Sequence, residues 1–107
     1  MAVQIFGRSK SFATKKAERF FKERRVPYQY IDLDRYGVSK GELTSILGAL
    51  GDWKKLARNP AELQYFSEEA IRTRFLDDPS LLSAPIVRNG RKAAVGEDPA
   101  AWKEMAE

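Results

Sequence analysis

The sequence predicts an α/β fold made of two halves, a parallel β-α-β unit and a β-hairpin followed by a helix, with a block of helices inserted between them. Three observations carry this. A short apolar run, Val3 to Phe6, ends at Gly7 and gives way to an amphipathic stretch and then to a β-rich run, Tyr28 to Asp32. Strand, helix and strand in that order imply a right-handed parallel unit. Near the other end, Asn89-Gly90 follows Pro85-Ile86-Val87-Arg88, and an Asn-Gly pair after a β-rich run is a strong hairpin signal. At 107 residues the chain, 1–107, is expected to form one domain with one modest core.

Each element has a local cause. Gly7 frees the backbone to turn after the first strand. A helix is predicted from about Phe12 to Arg24, with Ala13, Ala17, Phe20, Phe21 and Arg24 at helical spacing and basic residues opposite. Val26-Pro27 ends it, because the residue before proline avoids the helical conformation. Asp34 to Val38 reads as a loop. Ser39 and Glu42 form a capping box, and the helix they open puts Leu43, Ile46, Leu47 and Leu50 on one face before Gly51 closes it. Trp53 to Tyr65 is less regular, with Trp53, Leu56 and Leu63 expected to bury. Ser67-Glu68-Glu69 opens another helix to about Leu76, since acids in a first turn suit the helix dipole. Pro79 to Leu82 can add one turn. Ala84 to Arg88 is the third strand and Arg91 to Val95 the returning one. Asp98-Pro99 caps a last helix with Ala101, Trp102 and Met105 inward. The order is that of a thioredoxin-like fold (βαβ plus ββα) with a helical insertion at about 39–83.

Composition excludes much chemistry. There is no cysteine and no histidine. Disulfides, thiolate nucleophiles, histidine bases and nearly all zinc sites are therefore ruled out. Thiol–disulfide exchange is ruled out too, because it needs an attacking sulfur. No metal site is expected. No run of about 18 apolar residues spans a membrane, and no signal-peptide pattern opens the chain, so the cytoplasm is the expected compartment.

The net charge of +4 is uneven: residues 1–25 hold eight basic and two acidic residues, the remainder eleven and thirteen. Arg8, Lys10, Lys15, Lys16, Arg19, Lys22, Arg24 and Arg25 thus gather on the first loop and helix. Such a cluster is either a solvated helix face or a surface that attracts an anionic ligand or an acidic protein. Nucleic acid is disfavoured, since no aromatic residues interleave an exposed basic groove.

The candidate site is the loop within the stretch from Val3 to Lys16, between the first strand and the first helix. Ligands of α/β proteins sit beyond the carboxyl ends of strands, and free N–H groups at a helix start favour anions. Ser11 stands at the helix N-cap, where its oxygen can accept from the N–H of Ala13 or Thr14. A serine that merely caps and a serine in a ligand site both fit.

Three stretches resemble the arsenate reductase (ArsC) family, which also contains the Spx-like transcription regulators. They are Phe6-Gly7 with Ser11 and Lys15-Lys16-Ala17; Ser67-Glu68-Glu69-Ala70 through Asp78-Pro79-Ser80-Leu81-Leu82; and Pro85-Ile86-Val87-Arg88-Asn89-Gly90-Arg91-Lys92-Ala93 with Val95-Gly96. The resemblance puts the family's redox cysteine at Ser11, the second cysteine of Spx-like members at Thr14, and the oxyanion-holding arginine of arsenate reductases at Ala84. It implies a cis bond before Pro85, with Pro85 facing the Ser11 loop. The anion-favouring geometry would survive in Arg8, Lys10, Ser11, Phe12, Thr14, Lys15 and Pro85. The resemblance supports three functions, in this order: a non-catalytic binding or regulatory module, with a protein partner such as RNA polymerase by analogy with Spx-like proteins; a glutaredoxin-like or arsenate-reductase-type oxidoreductase whose cysteine was substituted; and a binder of a small anion or glutathione-type ligand at the Ser11 loop. No cofactor is expected, and glutathione enters only if a thiol is restored.

Overall fold

A computed structural model describes residues 3–107. It contains β1 (Val3–Gly7), α1 (Phe12–Glu23), β2 (Tyr28–Asp32), α2 (Leu33–Tyr36), α3 (Lys40–Leu50), α4 (Glu68–Asp77), β3 (Ile86–Asn89), β4 (Lys92–Val95) and α5 (Pro99–Ala106). Short 3-10 turns lie at Trp53–Lys55, Pro60–Glu62 and Pro79–Leu81. The sheet order is β2-β1-β3-β4. β1 runs parallel to β2, with Val3 opposite Tyr28 and Gly7 opposite Asp32, and antiparallel to β3, which pairs antiparallel with β4. This is the α/β, thioredoxin-like arrangement of a βαβ and a ββα half around a helical insertion.

Strand alternation sorts the apolar side chains into two cores, because successive residues face opposite sides of the sheet. Val3, Ile5 and Val87 pack with Ala17 and Phe21 of α1 and Trp102 and Met105 of α5. Phe6 and Ile86 point the other way, into a core built from Leu33, Leu43, Ile46, Leu56, Ile71, Phe75 and Leu82. The insertion therefore covers one face and α1 with α5 the other. No helix among the described residues is long and apolar enough to cross a membrane.

The local caps form as the sequence implies. Ser39 and Glu42 bond reciprocally, and Ser67 and Asp98 cap α4 and α5. The Ala84–Pro85 bond is cis.

Four expectations are corrected. Residues 33–36 form a short helix rather than a loop, because Asp32 caps it and the Gly37 N–H closes it on Leu33 O; four residues are too few to show a helical period. Arg24 does not face the core: α1 stops at Glu23, Arg25 takes a left-handed φ of 57°, and the N–H groups of Arg25 and Val26 return to Lys22 and Phe21 carbonyls. That is a Schellman ending, and it leaves the Arg24 guanidinium stacked 3.6 Å from the Phe20 ring centroid. The buried face of α1 is Thr14, Ala17 and Phe21, so a threonine and not Ala13 takes the first core position. The hairpin turns one residue later than expected: Asn89 pairs with Lys92, leaving Gly90–Arg91 as the loop. Gly90 alone has positive φ there, the pattern of a type II′ turn and not of the I′ turn that Asn-Gly favours.

Candidate functional site

The loop after β1 is fastened to the sheet by Gly7 and Thr14. A Cβ on Gly7 would collide with the Thr14 side chain and come within 3.1 Å of the Tyr30 ring, so only glycine lets α1 start this close to the strand. Thr14, 1% exposed, accepts the Arg8 N–H on Oγ1 at 3.3 Å. Its own N–H donates to Ser11 Oγ at 3.1 Å, and the Ser11 N–H returns to Arg8 O at 3.0 Å. Ser11 is thus the N-cap, and Thr14, rather than Ala13, is the donor it serves. The N–H groups of Phe12 and Ala13, in the first turn of α1, have no partner within the helix.

Beside Ser11 lies a pocket of about 210 Å³ lined by Arg8, Ser11, Arg58, Ser83 and Ala84. It adjoins a cleft of about 540 Å³ that Lys10, Ser9, Asp32, Asp34 and Ser80 also line. A larger concavity, about 590 Å³, runs along α4 and includes Ser67 and Arg74, but it shares no lining residue with this pocket or cleft, and its Ser67 hydroxyl is occupied as the α4 cap.

The expected anion ligands divide into four groups. Ser11 lines the pocket directly. Arg8 does so too, but most of its guanidinium is spent on architecture: Nε donates to Asp34 at 2.9 Å, and the two terminal nitrogens donate to Leu82 O at 2.7 Å and Pro79 O at 2.6 Å. Its side chain is only 14% exposed. Arg8 is thereby a clamp between the loop, α2 and the end of the insertion. Lys10 lines the outer cleft, without an ion-pair partner among the described residues. Phe12, Lys15 and Pro85 do not line the pocket. Phe12 is 80% exposed, with Lys15 Nζ 5.8 Å from its ring centroid. Pro85 is represented there by its neighbour Ala84, while its carbonyl accepts the Gly96 N–H at 2.9 Å. Thr14 is buried and structural.

Arg58 and Ser83 are the pocket residues that sequence reasoning missed. Arg58 arrives beside Ser83 because Ala57 bridges to Leu82, the Arg58 N–H donates to Leu81 O at 2.8 Å and the Ser83 N–H donates to Leu56 O at 2.9 Å. Nothing near Arg58 in the sequence signals this, since the pairing spans the whole of α4.

On the β2 side of the loop the Tyr30 ring lies beside Gly7. Burial first, and then Asp32, Glu18 and Asp34, raise the Tyr30 hydroxyl above its ordinary pKa. At the other end of β2, opposite Val3 and away from the loop, burial and then a hydrogen bond to Glu18 push Tyr28 up to about 12. Both tyrosines stay neutral donors at ordinary pH. What the pocket offers chemically is hydroxyls and guanidinium groups, a donor set suited to holding an anion. It offers no thiol and no imidazole.

No protein-family model matches the chain, and no curated protein matches it. Solved structures do. An ArsC-family-related protein from Bacteroides fragilis superposes with a TM-score of 0.89 at 18% identity, over 98% of each chain. The arsenate reductase from Vibrio cholerae gives 0.85 at 22% identity, again over 98% of each. The glutaredoxin-like NrdH-redoxin of Escherichia coli gives 0.55 at 15% identity, over 100% of this chain and 97% of its own. The likeness extends through the insertion as well as the two halves, and the chain has the thioredoxin-like fold of the solved ArsC-related proteins.

Proposed function

We propose that this chain is a non-catalytic thioredoxin-fold module that acts by binding, in the cytoplasm. The observation that carries the reading is the employment of Ser11. Its oxygen caps α1 through the Thr14 N–H at 3.1 Å, at the position where the resemblance to the ArsC family places a redox cysteine. A serine hydroxyl is scarcely ionised at neutral pH, and the chain has no histidine to act as its base. Disulfide exchange requires sulfur, and reduction of an oxyanion through a sulfur bond requires it equally. Binding needs neither. By analogy with Spx-like regulators the partner is a protein such as RNA polymerase, and the cations of α1 support an acidic one.

A second reading is favoured by one specific feature. Arg58, Ser83 and Ser11 meet around a pocket large enough for a tetrahedral oxyanion, supporting small-anion binding without turnover.

Two measurements test these readings. Disulfide and arsenate reductase assays on the unaltered protein are expected to show no turnover above background, and turnover would overturn the non-catalytic reading. The thiol pKa of S11C is expected to fall from about 8.5 into the range of about 3.5–7.5 that helix N-termini and nearby cations produce. An unshifted thiol would remove the anion reading and leave the protein partner.

A further inference from the structure

We propose that the outer face of α1, centred on Phe12, docks an acidic protein segment that covers the Phe12 ring with an apolar side chain. This rests on the binding-module reading above and names its surface and the chemistry of its partner.

Phe12 belongs to neither core and is 80% exposed at the first position of a helix, where its side chain serves no packing purpose. A single exposed apolar residue is ordinary; its setting here is not. Lys10 precedes it, Lys15 lies 5.8 Å from its ring, and Lys16, Arg19 and Lys22 continue along the exposed side of the helix. Residues three, four, seven and ten positions on from Phe12 share its side of an α-helix.

The acids nearby neutralise only Lys16 of this stripe. Glu18 is turned to the Tyr28 hydroxyl at 3.0 Å, and Glu97 pairs with Lys16 at 2.9 Å. Only Glu23 is exposed on the helix itself, at its far end. Lys10, Lys15, Arg19 and Lys22 have no ion-pair partner among the described residues. The first turn of α1, like that of α5, contains no acid, whereas those of α2, α3 and α4 each do.

An aromatic centre rimmed by solvated cations is the layout of a docking hot spot, in which the ring supplies affinity and the rim supplies steering and selectivity. The complementary partner is rich in Asp and Glu around one apolar anchor. A single strand of nucleic acid fits less well, because it is held in a groove with successive stacking aromatics. Here a convex helix offers one ring.

The test is selection of a displayed random-peptide library on the intact protein, followed by low-salt amide-shift titration with the recovered peptide and, separately, with oligothymidylate. Acid-rich peptides with one apolar residue are expected, shifting amides from Phe12 to Lys22. Affinity should drop about tenfold or more in F12A, fall in K15E, and collapse at high salt. Phe12 is external to both cores, so F12A should retain the remaining amide spectrum. The proposal is overturned by no enrichment, by peptides without acids, by equal binding to F12A, or by tighter binding of oligothymidylate. Reductase turnover would instead defeat the underlying reading, so the two failures are distinguishable.

Discussion

Helices α1 and α3 begin with the same chemistry and end up in opposite roles. Ser11 and Ser39 each accept, at 3.1 Å, the N–H of the residue three positions on. At α3 that residue is Glu42, whose carboxylate returns to the Ser39 N–H at 2.8 Å. The cap closes on itself, and its negative charge offsets the positive end of the helix. At α1 that residue is Thr14, which reaches instead to the strand end through the Arg8 N–H. No carboxylate enters the first turn, and lysines flank it. One cap is a self-sufficient local device. The other is bolted to the sheet and keeps its positive end available. A serine N-cap is therefore no guide to function by itself; the third residue and its surroundings decide.

The contrast can be broken most forcefully at the glycines. Gly7→Ala drives a methyl into Thr14 and is expected to cost about 2–3 kcal/mol in denaturant unfolding. Gly41→Ala, in the first turn of α3 with nothing within 4 Å of its Cβ, should instead stabilise by about 0.5 kcal/mol. Equal effects would mean that the α1 start is no tighter than the α3 start.

Next is Arg8→Met, which strips three hydrogen bonds from the clamp; the Leu82 carbonyl loses its Arg8 donor, whereas the Pro79 carbonyl keeps the Leu82 N–H. A loss of about 2 kcal/mol is expected by the same unfolding measurement. A neutral result would return Arg8 to the role of ligand alone.

The caps come third. Ser11→Ala and Ser39→Ala should each cost about 1 kcal/mol. Their aspartate variants should diverge. S11D meets cations and should gain about 0.5 kcal/mol, reduced by salt, whereas S39D meets Glu42 and should gain less.

The smallest effect is expected at high pH. Tyr28 titrates at about 12 in the fold against about 10 unfolded, so the folded chain holds the proton longer. The resulting stability is complete below pH 10 and is lost as pH rises through about 12. The decline should be shallower in Tyr28→Phe.

Legibility in the sequence followed the range of the interactions involved. The capping box at Ser39, the caps at Ser67 and Asp98 and the paired strands depend on residues a few positions apart or on simple alternation, and all could be read directly. The errors arose where backbone geometry, or a neighbour outside the element, chose. Thr14 took a core position because Gly7 opened room for it, and the α1 ending was set by backbone geometry at Arg25 rather than by the proline after it. In the candidate site, the Ser11 cap was legible for the same local reason. Arg58 was not, and neither was the diversion of Arg8 into a clamp.

The sequence by itself determined the order of the strands and longer helices, most of their caps and apolar faces, the concentration of positive charge in residues 1–25, and the absence of any thiol or imidazole. These are matters of covalent order and of contacts within a turn or two. Only the tertiary structure decided which cations meet the Ser11 loop and which are spent elsewhere. That choice depends on the Ala57–Leu82 bridge and on carbonyls at Pro79 and Leu82, groups brought to residue 8 across more than seventy positions of chain. Long-range backbone pairing carries almost no side-chain signature, so it is invisible until the chain is folded.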